Sequence, residues 1–338
     1  MSFKSFLAAC TALAVLSGCG GGAVGTGAPL IASPAGGAKA PGARSWIEPG
    51  AARGDLLYAT GSLNCGYNVP YTCVYSYPSG KLVGALAVGN ESICSDRKGN
   101  VFFPDEYNSS VLEYAHGGTT PFAVLNDPGY RPVSCSVDPR SGDLAIINDC
   151  AFQLSTKYCI GPGSVAIYRR AKGRPIFYQD DAIDAYRYGG YDGEGNLFVD
   201  GVGTQPSELF AFAELPRGGP SLTNVTLDEI PNAPGQVQWD GSAITIEDEI
   251  PPAVYRLNIS GSTGSVVGVT HFRGKSMQIG PTWIHAGAIV APYGVRGKFD
   301  KFIGFWRYPA GGKASKRIVN GFVSKVRSFD GVTISVAR

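Results

Sequence analysis

Beyond residue 44 the chain lacks any run of eighteen apolar residues, so no later segment can cross a bilayer as a helix. No long window carries the 3.6-residue apolar period of an amphipathic helix, which argues against an α/β fold. Lysine and arginine form no cluster, and 29 basic against 27 acidic side chains leave a net charge of +2. That balance gives no electrostatic footprint for nucleic acid, and no acidic tail is present. A G-x-S-x-G elbow, an H-E-x-x-H helix and a Walker-type loop are all absent. Histidine is scarce: only His116, His271 and His285 could serve as imidazole bases, and they fall in unlike positions of the repeat described below. A Ser-His-Asp mechanism is therefore not expected.

What is present begins with a leader. Lys4 gives a positive start, and Phe6 to Leu16 form an apolar core too short for a spanning helix. Leu16-Ser17-Gly18-Cys19 follows and resembles the lipobox of bacterial lipoproteins, which implies a signal peptide over 1–18 and acylation of Cys19. Several acyl chains on one cysteine suffice for stable anchoring. Gly20, in place of aspartate, implies by the same resemblance export to the outer membrane of a diderm cell. Residues 19–44 are glycine, alanine and proline with few large apolar side chains, the composition of a flexible tether. The expected location is the bacterial cell envelope, outside the cytoplasm, with the folded region over 45–338.

Six cysteines remain in that region: Cys65, Cys73, Cys94, Cys135, Cys150 and Cys159. An even number in an exported chain favours disulfides, with fifteen possible pairings. Proximity suggests Cys65–Cys73 and Cys150–Cys159, which leaves Cys94–Cys135. Metal binding is the rival explanation, but neither C-x-x-C nor paired-histidine spacing accompanies them.

A short phrase then recurs. Asp96-Arg97-Lys98-Gly99-Asn100 precedes Val101-Phe102-Phe103, and related aspartate-to-glycine turns start at Asp138, Asp192 and Asp240. A period near 45 residues with turn-rich, strand-like runs predicts propeller blades. With strands named a to d from the axis outward, six b strands start at Leu56, Val101, Leu144, Leu197, Ile244 and Ala288. Six c strands end near Tyr77, Tyr114, Tyr168, Leu215, Leu257 and Tyr308. Strand a precedes only five of the b strands. The missing copy is Gly331 to Val336, which predicts that the C-terminal strand completes the blade formed by Leu56 to Leu86. The expected fold is all-β: a six-bladed β-propeller of four-stranded blades, closed in this way, which also removes an exposed sheet edge. A β-helix or open solenoid would have shorter repeats and no reason to divide one repeat between the two ends.

In such a blade the b–c loops and the starts of strand a share one face. Acidic residues gather there: Glu91, Asp105, Glu106, Asp149, Asp200, Glu247, Asp248 and Asp330. Loops on a rigid scaffold commonly carry binding residues, and several carboxylates could hold a hard cation. Each one alone is also a common turn residue. The repeated Asp96, Asp138, Asp192 and Asp240 lie on the opposite face and are expected to cap the a–b turns.

With these turns and six blades, the region from about 50 to 338 resembles NHL-repeat and gluconolactonase-like propellers. The Tyr77 to Gly80 and Val237 to Gly241 segments resemble those of uncharacterised bacterial lipoproteins. The resemblance implies a divalent metal at the channel mouth, held at the starts of strand a, with Glu91 and Asp330 as its matching residues. The family's asparagine has no counterpart at Tyr188-Gly189-Gly190, Pro234-Gly235-Gln236 or Gly280-Pro281-Thr282. Two functions are carried forward. One is a membrane-anchored module without a cofactor, binding an unknown protein, glycan or small ligand through the b–c/d–a face. The alternative is a hydrolase or lactonase using one divalent cation such as calcium.

Overall fold

The computed structural model describes residues 44–61, 65, 72–89, 92–205, 207–249, 251–274, 277–295, 298–319 and 329–338, with backbone only at 295, 298–301 and 329. The signal peptide, Cys19, nearly all of the tether and Glu91 lie outside the described residues. Six sheets, antiparallel within each four-stranded blade, form six blades. Blade 2 is Cys94–Ser95, Val101–Asp105, Ser110–Tyr114 and Ala123–Asn126; blade 3 is Tyr130–Val137, Leu144–Gln153, Tyr158–Tyr168 and Ile176–Tyr178. Blade 4 runs from Ile183–Tyr191 through Leu197–Gly203 and Ala211–Leu215 to Thr223–Asn224. Blade 5 is Val237–Trp239, Ile244–Glu249, Pro252–Ser260 and Thr263–His271, with Thr226–Leu227 added in parallel at its outer edge.

Blade 1 is shared between the two ends of the fold, as the missing inner strand predicts. Phe329–Ser335 pairs with Leu56–Gly61, followed outward by Thr72–Ser76 and Leu82–Leu86. A fifth strand, Trp46–Ile47, covers the outer edge through Leu82–Leu86. In blade 6 the inner strand is broken: Met277–Ile279 and Trp283–His285 both pair with Ala288–Val295, interrupted at Gly280-Pro281-Thr282. The Gly280 N–H bonds to the Pro292 carbonyl at 2.9 Å, so the break stays tied to its neighbour. Lys298–Arg307 and Gly311–Val319 complete the blade.

The b strands are apolar on both faces because both faces are covered. Leu56 and Tyr58 pack towards Val101 and Phe103 of blade 2, whereas Leu57 and Ala59 pack towards Val290 and Ile303 of blade 6. Leu144 and Ile146 likewise meet blade 2, and Ala145 and Ile147 meet blade 4. Blades 4 and 5 join through Phe198, Phe212 and Ile246, and blades 5 and 6 through Val254, Ile289 and Trp306. The core is thus six wedges, one at every blade boundary, and burial alternates between two neighbours rather than between core and solvent.

The repeated aspartates do cap the a–b turns. Asp96 Oδ1 accepts from the Lys98 and Asn100 amides, both at 2.8 Å. Asp192 Oδ1 accepts from Glu194 and Asn196 at 2.8 and 2.9 Å, and Asp138 Oδ1 from Arg140 at 2.8 Å. Gly99 and Gly195 close the same turns with φ of 81° and 88°, the left-handed region that disfavours a side chain.

Candidate functional site

The six cysteines pair as proximity suggests: Cys65–Cys73, Cys94–Cys135 and Cys150–Cys159. Cys150–Cys159 spans the b–c hairpin of blade 3, and Cys94–Cys135 links the inner strands of blades 2 and 3.

Of the acids expected at the b–c/d–a rim, Asp149, Asp200, Glu247 and Asp248 are buried. Asp200 is 0% exposed and joins two blades, accepting from Tyr188 N at 2.9 Å and from Gly235 N at 2.8 Å. Burial holds its carboxyl well above the usual range, although hydrogen bonds from Gly235 and Tyr188 oppose the shift. Glu247, also buried, accepts from Gln236 N at 3.3 Å, while its Oε1 has no hydrogen-bond partner. Burial raises this carboxyl well above its ordinary value, and the charges of Glu249, Asp248 and Asp200 add to the rise. Asp200 and Glu247 therefore meet at consecutive amides of one strand start.

The other acids are engaged separately. Asp149 is clamped by Arg131, whose Nε lies 2.8 Å from Oδ1 and whose Nη2 reaches Oδ2, with Arg187 at 3.4 Å. Asp248 accepts both the backbone and side-chain N–H of Asn232 at 3.0 Å. Asp105 binds Asn108 within its own turn, Glu106 is nearly buried, and Asp330 is half-buried at the head of blade 1's inner strand. Among the described residues, Asp149, Cys150 and Cys159 bring ligand-type atoms within 4.8 Å of one another. That trio is spent, since both sulfurs share a disulfide and the carboxylate holds two arginines.

The histidines do not converge. His116 Nδ1 lies 2.6 Å from Ser335 Oγ, His285 stands edge-on to Tyr77, and His271 ends an outer strand of blade 5.

Two features escaped the reading of residues. First, the b and c strands of blade 3 extend to ten and eleven residues and form a long hairpin. From Gln153 to Pro162 it is exposed throughout, with Leu154 at 45%, Tyr158 at 73% and Ile160 at 65%. Lys157 Nζ donates to the Tyr107 carbonyl of blade 2, setting exposed Tyr107 beside it. The Cys150–Cys159 spacing was the available signal for this hairpin. Second, a cavity of 820 Å³ opens along the axis at the a–b face, opposite the expected one. Inner strands of all six blades line it. Its cations, Arg97, Lys98, Arg140, Arg170 and Lys172, lie in segments that read as turn chemistry alone.

These features define a six-bladed β-propeller with all-β blades and almost no helix. No protein-family profile matches the chain, and no curated protein matches it. Among solved structures, a chain of the nidogen/laminin complex is similar at a TM-score of 0.61 and 11% identity, over 84% of this chain and 99% of that one. Streptogramin B lyase gives a TM-score of 0.46 at 12% identity, over 69% of each chain. The nidogen/laminin likeness supports the propeller fold.

Proposed function

We propose that this is a lipid-anchored, extracytoplasmic binding module that docks a protein partner on its b–c/d–a face through the blade 3 hairpin. The observation that carries the proposal is the set of exposed Leu154, Tyr158 and Ile160 on a hairpin pinned at its base by Cys150–Cys159. Large apolar side chains held in advance lose little freedom on docking, and tyrosine is a frequent interface anchor. Three disulfides also suit a location outside the cytoplasm. A photo-crosslinking residue at position 158 should give one discrete protein adduct in intact cells, lost on Ile160→Asp; the same residue at position 218 should give none. Absence of a discrete adduct at 158, or its survival in Ile160→Asp, overturns the docking site. Cys19→Ala should move the protein from the membrane to the soluble fraction, and continued membrane association would overturn the anchor.

The second reading is a metal-dependent hydrolase with a divalent cation such as calcium on Glu91 and Asp330. It is supported by the half-buried position of Asp330 at the head of blade 1's inner strand. Metal analysis of the purified protein, repeated with Asp330→Ala, separates the two: a stoichiometric ion lost in the variant favours the hydrolase.

A further inference from the structure

The axial cavity at the a–b face lies away from the hairpin and has a different chemistry. Five cations line it, against the three carboxylates Asp96, Glu113 and Asp138. Two of those carboxylates are turned inward. Asp96 is occupied by the amides of its own turn and by Asn100 Nδ2, and Asp138 by Arg140 N and Ser141 Oγ at 2.5 Å. Arg140 pairs with Glu194. Among the described residues, Arg97, Lys98, Arg170 and Lys172 make no side-chain hydrogen bond and no ion pair. They come from the a–b turn of blade 2 and the c–d turn of blade 3, so positive charge is in excess in one sector of the rim, where Glu113 is the carboxylate that Lys98 and Lys172 act on.

Trp239 of blade 5 and Trp283 of blade 6 line the same cavity from other blades. Both indoles are half-buried, and neither ring N–H has a hydrogen-bond partner among the described residues. Trp239 rests on Gly193, where a Cβ would stand 3.2 Å from the indole, so the ring is held against backbone. A ligand in this space meets both cationic donors and indole surfaces, with Trp283 also packed against the blade 2/3 cluster. At 820 Å³ the cavity falls within the usual range of about 300–1,000 Å³ for small-molecule sites.

We propose that this cavity binds an organic anion, a carboxylate or phosphate carried on a ring that packs against Trp239 and Trp283. Arginine and lysine would take the charged group, and the indoles the ring face. The site is independent of the partner-docking hairpin and acts on the opposite face of the ring.

Titration followed by tryptophan fluorescence tests this with two matched pairs: digalacturonate against its neutral disaccharide, and adenosine monophosphate against adenosine. At least one acidic member should bind saturably, weaken at high salt, and exceed its neutral counterpart by about tenfold, or 1.4 kcal/mol. The pair that responds tells carboxylate from phosphate. Lys98→Glu with Arg170→Glu, both exposed positions, should weaken binding by at least about tenfold with the melting temperature unchanged. Tyr158→Ala with Ile160→Ala should leave it unaltered, so failure of the hairpin and failure of the cavity remain distinct. No saturable binding by either acid, equal binding of a neutral counterpart, or affinity unchanged by the charge reversals overturns the proposal.

Discussion

Ile334 pairs with Leu57, so the last strand of the fold completes the sheet that contains its first blade. Val332 and Ile334 are both 2% exposed and pack in the wedge between blades 6 and 1. Burying two such side chains contributes about 3–6 kcal/mol together. Deleting residues 331–338 should therefore lower the melting temperature by on the order of 10 °C or prevent folding. A truncated protein that melts with the full chain would show this pairing to be dispensable.

Asp240 ties two blades together. Its Oδ2 accepts from Tyr308 Oη of blade 6 at 2.5 Å and from Arg256 Nε at 2.7 Å. Burial alone would raise this carboxyl, but the bonds from Tyr308, Ala243, Ser242 and Arg256 outweigh it and bring the pKa down to about 2 from 3.8. A depressed folded-state value contributes stability above pH 3.8 that is lost as pH falls through about 2. Asp240→Asn should cost about 1–2 kcal/mol near neutrality, allowing for solvent screening. Urea unfolding at descending pH should show the gap between variant and parent narrowing towards pH 2.

The disulfides should differ in worth. Cys94–Cys135 closes a separation of 41 residues and Cys150–Cys159 one of 9. In the chain-entropy view these correspond to about 4 and about 2.5 kcal/mol. Cys94→Ala with Cys135→Ala should lower the denaturant midpoint more than Cys150→Ala with Cys159→Ala. The second pair should mainly speed amide exchange in residues 151–162, where the hairpin has few other restraints. Equal midpoints for the two variants would contradict this order.

Glu113 is pushed up to about 7 by burial and by the charge of Asp96, with Lys172 and Lys98 opposing. An acid raised from 4.5 to about 7 favours the folded state below 4.5 and loses that contribution as pH rises through 7. Glu113→Gln should thus be more stable than the parent at about pH 8 and equal to it at about pH 4. Thermal unfolding at the two pH values checks the sign.

The closure was legible because the b strand at Leu56 has no a strand before it, while Gly331 to Val336 reads like the a strand Pro132 to Val137 and has no b strand after it. Trp46–Ile47 and Thr226–Leu227 were not, since two-residue strands leave no period to detect. The acids at the strand ends gave no sign of their depth. Asp200 looks like any turn aspartate until Tyr188 of the neighbouring strand and Gly235, just before the inner strand of blade 5, are seen to close over it. The cations of the cavity were equally hidden, because Arg97 and Lys98 belong to a turn whose residue types are explained by its geometry. What gathers them around one axis is the ring, a relation between blades that no single repeat encodes.

The shared first blade also fixes an order of events in time. As the chain emerges from its N-terminus, strands Leu56–Gly61, Thr72–Ser76 and Leu82–Leu86 are available early, but their partner Phe329–Ser335 comes last. Until then the Leu56–Gly61 edge stays unpaired while five further blades accumulate. Pairings of such long sequence separation form slowly, and open edges are vulnerable to wrong partners. The newborn protein should therefore pass through a waiting period, as an open fan with a sticky first rib, that ends only when its final strand arrives.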